Sequence, residues 1–534
     1  MKSILSLLSI IALGLGLISC SGGGGGGGGS STPAFALSTT TADFGVVGNA
    51  YTSTLATTGG TAPFTWMLFG TLPTGTPTNL SLDPATGVVS GTPDAAGNFT
   101  ATFTVTDTTG KAASGSVLFA IHPRTDRVSV NSSGTAGSGA SSTPSISGDG
   151  SLVAFASSSA NFVTDVNGAQ IYVHNRQTNQ IEVASRDSDS SVINEGSGVS
   201  SNPVISADGR FVAFVSQSSN LVPGVSGQQV YLRDRQTGQT ALVSRNTAGQ
   251  TASAGSSNRA PAISSDGQFI AFVSDATNFV AGVHGQQIYL HDRLAGTVSL
   301  ISKNNNAVPI PGDGDSDTPV ISSDGRYVAF ASMATNLGVS GGNQQIYIHD
   351  RLATANGATS LISKNNGAVE GNGASSAPSI SGDGRFVAFM SLASNLVPTV
   401  NGQQIYFHDR NSGATTLISH DNSGVPIQGN GASSAPSISS NGQIIAFVSL
   451  APNLLAPGSA VAGQQVYSHD RLASANGMIS LVSKDNSPTP VAGAGGASDT
   501  PSMNSDGGFV AFFSQATNLV IPGSGAHIYV RALP

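Results

Sequence analysis

Cysteine, tryptophan, glutamate and charge of either sign are all scarce in this sequence. Cys20 is the one thiol in 534 residues, so an internal disulfide is excluded and packing and hydrogen bonds must hold the fold. Charged residues make up 9% and aromatics 6%, and the net charge of −8 comes without a basic cluster. The electrostatic footprint and the stacking platform of a nucleic-acid binder are both missing, and no such partner is expected. Glutamate occurs at Glu182, Glu195 and Glu370 alone, and no paired carboxylates recur at acid/base spacing. Neither an H-E-x-x-H motif nor a nucleophile elbow between strand and helix is visible. These absences lead to the expectation that the protein is not an enzyme and carries no cofactor.

Hydrophobic residues, at 39%, are spread through the chain and argue against disorder, while Ser, Thr, Asn and Gln carry the polarity. With 67 Gly and 25 Pro, the punctuation suits many short strands and leaves little room for long helices. The class expected is all-β. The length exceeds one ordinary core, so several domains or a repeat array are implied.

Lys2 precedes an apolar run from Ile4 to Ile18, too short for a comfortable membrane span. It ends in Leu17-Ile18-Ser19-Cys20, which resembles the bacterial lipoprotein signal. That resemblance implies cleavage before Cys20, acylation of its sulfur and a protein anchored to a membrane without spanning it. Ser21 stands where Asp would mark inner-membrane retention, so the resemblance points to the outer membrane, if the organism is Gram-negative, or to the cell surface. Residues 1–20 are thus expected to be a lipoprotein signal peptide ending at the lipidated Cys20. Residues 21–33, with glycine from Gly22 to Gly29, read as a flexible tether.

Residues 34–121 alternate in short runs such as Tyr51 to Leu55, Phe64 to Leu68 and Phe99 to Thr106, the pattern of a small antiparallel sandwich. The stretches GGTAPFTW, LSLDPATGVVSGTP and AAGNFTATFTVTD resemble the Ig-type, cadherin-like domain of bacterial surface proteins. The resemblance implies occasional calcium at acidic junctions. Asp43, Asp83, Asp94 and Asp107 are instead scattered in turns, and Trp66 reads as core.

From residue 124 to 534 a repeat takes over. A proline opening a short strand before an Asp-Gly turn recurs at Pro144, Pro203, Pro261, Pro319, Pro378, Pro436 and Pro501, at intervals of 59, 58, 58, 59, 58 and 65. In the copy from Pro319 the expected strands are Val320 to Ser322, Tyr327 to Ser332, Gln345 to His349 and Thr359 to Ser363. Four antiparallel strands in seven copies predict a seven-bladed β-propeller. The last copy lacks its fourth strand, and Asp126 to Asn131 matches it in type, so a strand N-terminal to the repeats is expected to close the ring. The motif PxISxDGRxVAFxS, followed by a Tyr-containing strand and an Asp-Arg turn, resembles the TolB-like propeller repeat, a WD-repeat relative. That implies the fold and leaves function open among scaffolds, peptidase lids, glycan lyases and binding modules.

In a propeller the connections after the second and fourth strands share one face, and here they are the long ones, as at Asn336 to Gln344 and Lys364 to Ala377. Three polar sets recur. Asn161, Asn220, Asn278, Asn336, Asn395, Asn453 and Asn518 are expected to satisfy loop backbone. His174, His291, His349, His408 and His469 occupy equivalent places around the ring, so an inter-blade hydrogen-bond network is expected in place of a shared ion. Asp234-Arg235, Asp292-Arg293, Asp350-Arg351, Asp409-Arg410 and Asp470-Arg471 read as turns with a local ion pair. Asp165 and Asn167 retain part of a calcium-loop pattern seen in related repeats, and Asp313, Asp315 and Asp317 form a candidate isolated calcium site. His284, His420 and His527 stand outside the recurrent pattern.

The expectation is a lipid-anchored envelope protein that binds a protein or glycan, without catalysis, through the long-loop face. The alternatives are a metal-dependent polysaccharide lyase, which the TolB-like resemblance admits, and a calcium-linked adhesion protein. Oligomeric state is left open.

Overall fold

The computed structural model describes residues 34–533 except 43–44, 49, 70–78, 95–96, 123–124, 167, 177, 189–194, 254–259, 339–340, 424, 456–460, 488–490 and 521–524. The signal, Cys20 and the tether lie outside the described residues, as does Asn167.

All described elements are strands. The N-terminal unit pairs Gly45–Val46, Ala112–His122, Gly97–Thr106 and Thr65–Leu68 in one sheet and Tyr51–Thr54, Val88–Gly91 and Leu80–Leu82 in another. Alternation puts Trp66, Phe103, Val105, Val117 and Phe119 inside, between the sheets. Asp83 and Asp107 cap turns: Asp83 accepts from the Ala85 amide, and Asp107 from Thr109 and Lys111.

Seven four-stranded antiparallel sheets follow among the described residues, in a propeller-like array. The first six span 141–183, 200–242, 262–300, 316–361, 375–417 and 433–481. The seventh joins Ser498–Met503, Phe509–Ser514 and His527–Ala532 to Thr125–Arg127, which pairs Thr125 with Arg531 and Arg127 with Tyr529. Asn131 is not part of that strand but turns back, its amide bonding the Thr135 carbonyl.

Second strands such as Phe211–Ser216 read as unbroken apolar runs because both of their faces are covered. Each pairs a phenylalanine with a tyrosine on the third strand, as in Phe330 and Tyr347, whose rings stack at 6.0 Å. Seven apolar clusters each join two sheets, which in all but one case follow one another in the chain. One of them brings Val153, Phe155 and Tyr172 of the first sheet onto Ala511, Ile528 and Val530 of the seventh.

The inner strands differ from expectation. In the fourth sheet the strand is Ser316–Ile321, so Pro319 lies inside it and not at its start. Proline has no amide to give the ladder, and the pairing shifts register between Asp317 and Val320 around it. Thr318 takes φ 47° there, and Thr143 (47°), Ala377 (48°), Ala435 (49°) and Thr500 (47°) behave alike before their own prolines.

Candidate functional site

Most recurrent polar side chains join parts of the scaffold. Asn336 donates to the Pro311 carbonyl at 2.8 Å and accepts the Asp313 amide at 3.2 Å, and Asn395 treats Glu370 and Asn372 likewise. The two long connections are thereby tied to each other on one face. Gln345 donates to the Gly371 carbonyl and accepts from Ser363, whose oxygen also takes the Ile346 amide. In the seventh sheet His527 stands in for this glutamine and pairs with Ser129 at 3.1 Å.

The histidines are buried at the far end of the third strand. His349 Nδ1 meets Thr359 Oγ1 at 2.9 Å, and that hydroxyl donates to the Lys303 carbonyl of the preceding sheet at 2.8 Å. His408 repeats the link through Thr415 to Lys364. Where the threonine is replaced by Ile181, Val298 or Ile479, Nδ1 of His174, His291 or His469 is left without a partner. Burial, with the basic residue of the preceding sheet as a second cause, pushes His291, His349, His408 and His469 down to about 4.

The Asp-Arg turns need a correction, because neighbouring residues in a turn point apart and do not pair. Asp350 accepts from Nε and Nη2 of Arg326, on the other turn of the same sheet, at 2.8 Å, and Asp409 accepts from Arg385 in the same way. Arg326 holds the Asp350 carboxyl below its usual range. Arg351 instead bonds the Gly325 carbonyl and lies 4.1 Å over the Phe269 ring of the preceding sheet. Arg293 over Phe211, Arg410 over Tyr327, and Arg176 of the first sheet over Phe509 of the seventh repeat this latch.

Asp313, Asp315 and Asp317 do not converge on an ion. Asp313 caps the Thr335 amide and hydroxyl, Asp315 accepts the Gln286 amide, and Asp317 accepts from Thr318 and Gln344. Among the described residues no group of three or more acidic, His or Cys side chains is placed to hold a metal. Asp165 takes φ 63° in its loop.

Sequence reasoning missed two features. One is a second asparagine just after the fourth strand of several sheets: Asn305 clasps the backbone of Thr359 in the next sheet by both its amide nitrogen and its oxygen, at 2.7 and 2.6 Å. Asn422 does so at Ile479, and Asn486 at Thr125. The other lies at the residue after the second strand, on the long-loop face. Met333, Leu392 and Leu450 of three consecutive sheets are half exposed there, where the other sheets carry Ser158, Gln217, Asp275 and Gln515. The signal was present in the alignment of the copies, as an apolar departure at a polar position.

Residues 30–122 match the family described as "Putative Ig domain", which covers the N-terminal unit and leaves the sheets unassigned. No curated protein matches the chain. Among solved structures, the β-propeller domain of the Trilobed protease from Pyrococcus furiosus is similar at 13% identity and TM-score 0.44, over 74% of this chain and 94% of that one. The Pyrococcus horikoshii acylaminoacyl peptidase is similar at 12% and 0.43, over 73% of this chain and 51% of that one, so this chain spans about half of that peptidase. The GH74 xyloglucanase from Xanthomonas campestris is similar at 12% and 0.39, over 76% and 55%. At these levels the likeness is one of fold and assigns no activity.

The expectation that the chain is not an enzyme is nevertheless withdrawn, because peptidases and a xyloglucanase stand among the structures it is similar to. The physical reason lies in how sites are built. Catalytic groups meet in space from separate strands or domains, so a missing linear motif does not exclude them.

Proposed function

We propose that the sheets form a seven-bladed propeller closed by the strand at Thr125–Arg127, tethered to the envelope through a lipid on Cys20, and that its long-loop face binds an envelope protein. The pairing of that strand with His527–Ala532 supports closure, and the run Leu17 to Cys20 supports the anchor. The observation that carries the binding reading is the apolar departure at Met333, Leu392 and Leu450. A scaffold that repeats polar residues at an exposed position gains nothing for its own stability by placing Met and Leu there, whereas a protein partner covers them. Val308, Ile310, Val369, Val425 and Ile427 are also exposed in the loops of the same sheets, which favours a protein over a glycan.

The test is capture from the native envelope. Replacing Met333, Leu392 and Leu450 with the Ser, Gln and Gln of sibling sheets weakens the captured protein at least about tenfold, since buried apolar anchors dominate such interfaces. Leu352→Gln with Leu472→Gln, on the tight-turn face, leaves it unchanged. Loss in the second pair with retention in the first, or capture of glycan alone, overturns the reading.

A further inference from the structure

Between the outer strand of the fifth sheet and the end of the third strand of the sixth lies a cavity of about 690 Å³, walled by Val397, Val400, His420, Ile427, His469 and Asn476 among others. This junction departs from its siblings in two places at once. The residue after the outer strand, which bridges back to its own loop, is Arg186, Arg245, Lys303, Lys364 or Lys484 in five of the sheets and Val130 in the seventh, but here it is His420. In the sixth sheet, on the strand beside His469, the threonine that occupies Nδ1 of His349 and His408 is replaced by Ile479. His174 and His291 also lack a partner at Nδ1, yet Val130 and Arg245 stand where a second imidazole would be needed.

The two rings that result are 5.0 Å apart between centroids, with planes at 81°. Their protonated nitrogens are fixed by backbone carbonyls, which only accept. His420 Nδ1 donates to the Asp421 oxygen at 2.7 Å, and His469 Nε2 to the Asn476 oxygen at 3.3 Å. The lone pairs therefore sit on Nε2 of His420 and Nδ1 of His469, and the second of these is buried in a side chain 3% exposed with no partner. An imidazole whose other nitrogen is held by a carbonyl is the arrangement metal-ligating histidines adopt. With metal–nitrogen bonds of about 2.0–2.1 Å, two rings on one tetrahedral ion have centroids roughly 5 Å apart. No carboxylate is among the residues lining the cavity, which disfavours calcium and magnesium. Arg471 is in the wall, but its guanidinium is stacked 3.6 Å over Phe407 and bonded to the Gly442 carbonyl.

We propose that His420 and His469 form a two-imidazole site for a divalent transition ion of the zinc, nickel or copper type, with water in the cavity completing its coordination. Val397, Val400 and Ile427 in its wall belong to connections of the long-loop face, but the two imidazoles that would hold the ion do not depend on any partner bound there.

The experiment is calorimetric titration of ZnCl2 and NiCl2 into untagged, chelator-treated full chain, with bound metal counted by elemental analysis after dialysis. Saturable binding of a single ion per chain is expected. His420→Lys installs the residue that follows the outer strands of the third, fourth and sixth sheets, and Ile479→Thr restores the hydroxyl for Nδ1. Each weakens the metal at least about tenfold, while His291→Gln does not. Circular dichroism and the melting temperature show whether a variant is folded; if His420→Lys is not, Ile479→Thr decides. No saturable binding by the native chain, or undiminished binding by a folded variant, overturns the site.

Discussion

The hydroxyl of Thr359 touches both the His349 ring and the Lys303 carbonyl, so one side chain serves two sheets. Thr359→Val keeps the shape and orphans both groups, and a loss of about 1–3 kcal/mol in urea unfolding is expected. The converse, Val298→Thr in the third sheet, supplies the missing partner to His291 and is expected to gain up to about 1 kcal/mol by the same measurement. The imidazoles also set an acid limit. Four of them bind protons near 4 when folded and near the ordinary histidine value of 6.5 when unfolded. Between those values the unfolded chain takes up more protons, so their contribution is complete above 6.5 and is lost as pH falls towards 4. Urea midpoints at pH 7, 6 and 5 should decline in that order, and less steeply in His349→Gln. Of this, the placement of the histidines was legible in the sequence. The link made by their hydroxyl partners was not, because Thr359 passes it on to the Lys303 carbonyl, which belongs to another sheet.

The Asp-Gly turn between first and second strands is an element that joins sheets. Ser322 and the Arg326 amide bond Asp324, and Gly325 takes φ 72°. A Cβ on Gly325 would also come within 2.1 Å of the Phe269 ring, which Arg351 covers from above. The preceding sheet's aromatic is thus held between a glycine and an arginine of the next. Gly325→Ala combines backbone strain with a collision and is expected to cost about 2–4 kcal/mol. Arg351→Ala, which removes only the cap and a carbonyl bond, should cost about 1–2 kcal/mol. Thermal unfolding of the two variants side by side checks the order. The Asp-Gly pair announced this turn in the sequence, since its chemistry is local. The ring beneath it was hidden, because no rule of spacing says which residue of the preceding copy comes to lie there.

At the scale of the whole molecule, the junction between the seventh and sixth sheets uses the parts found elsewhere. Asn486 holds Thr125 by amide and carbonyl, as Asn305 holds Thr359, and the Thr125 hydroxyl donates to the Lys484 carbonyl at 2.8 Å. Arg531 takes the place of the histidine and bonds Thr125. Asn486→Ala is expected to lower stability by about 1–3 kcal/mol and to speed hydrogen exchange in His527–Ala532 ahead of the other third strands. Asn305→Ala, at an internal junction, should leave that exchange untouched.

The sequence by itself determined the class, the sandwich ahead of the repeats, the period, and four strands to each copy. Side-chain alternation and turn chemistry are properties of a few neighbouring residues, and they survive without any knowledge of the rest. Only the tertiary structure decided that Asp350 pairs with Arg326 and not with Arg351, that Asp313, Asp315 and Asp317 cap separate loops, and that His420 faces His469. Each of these contacts joins different strands, loops or sheets. Which groups meet there depends on how strands twist and sheets pack, and no short stretch of the chain records that.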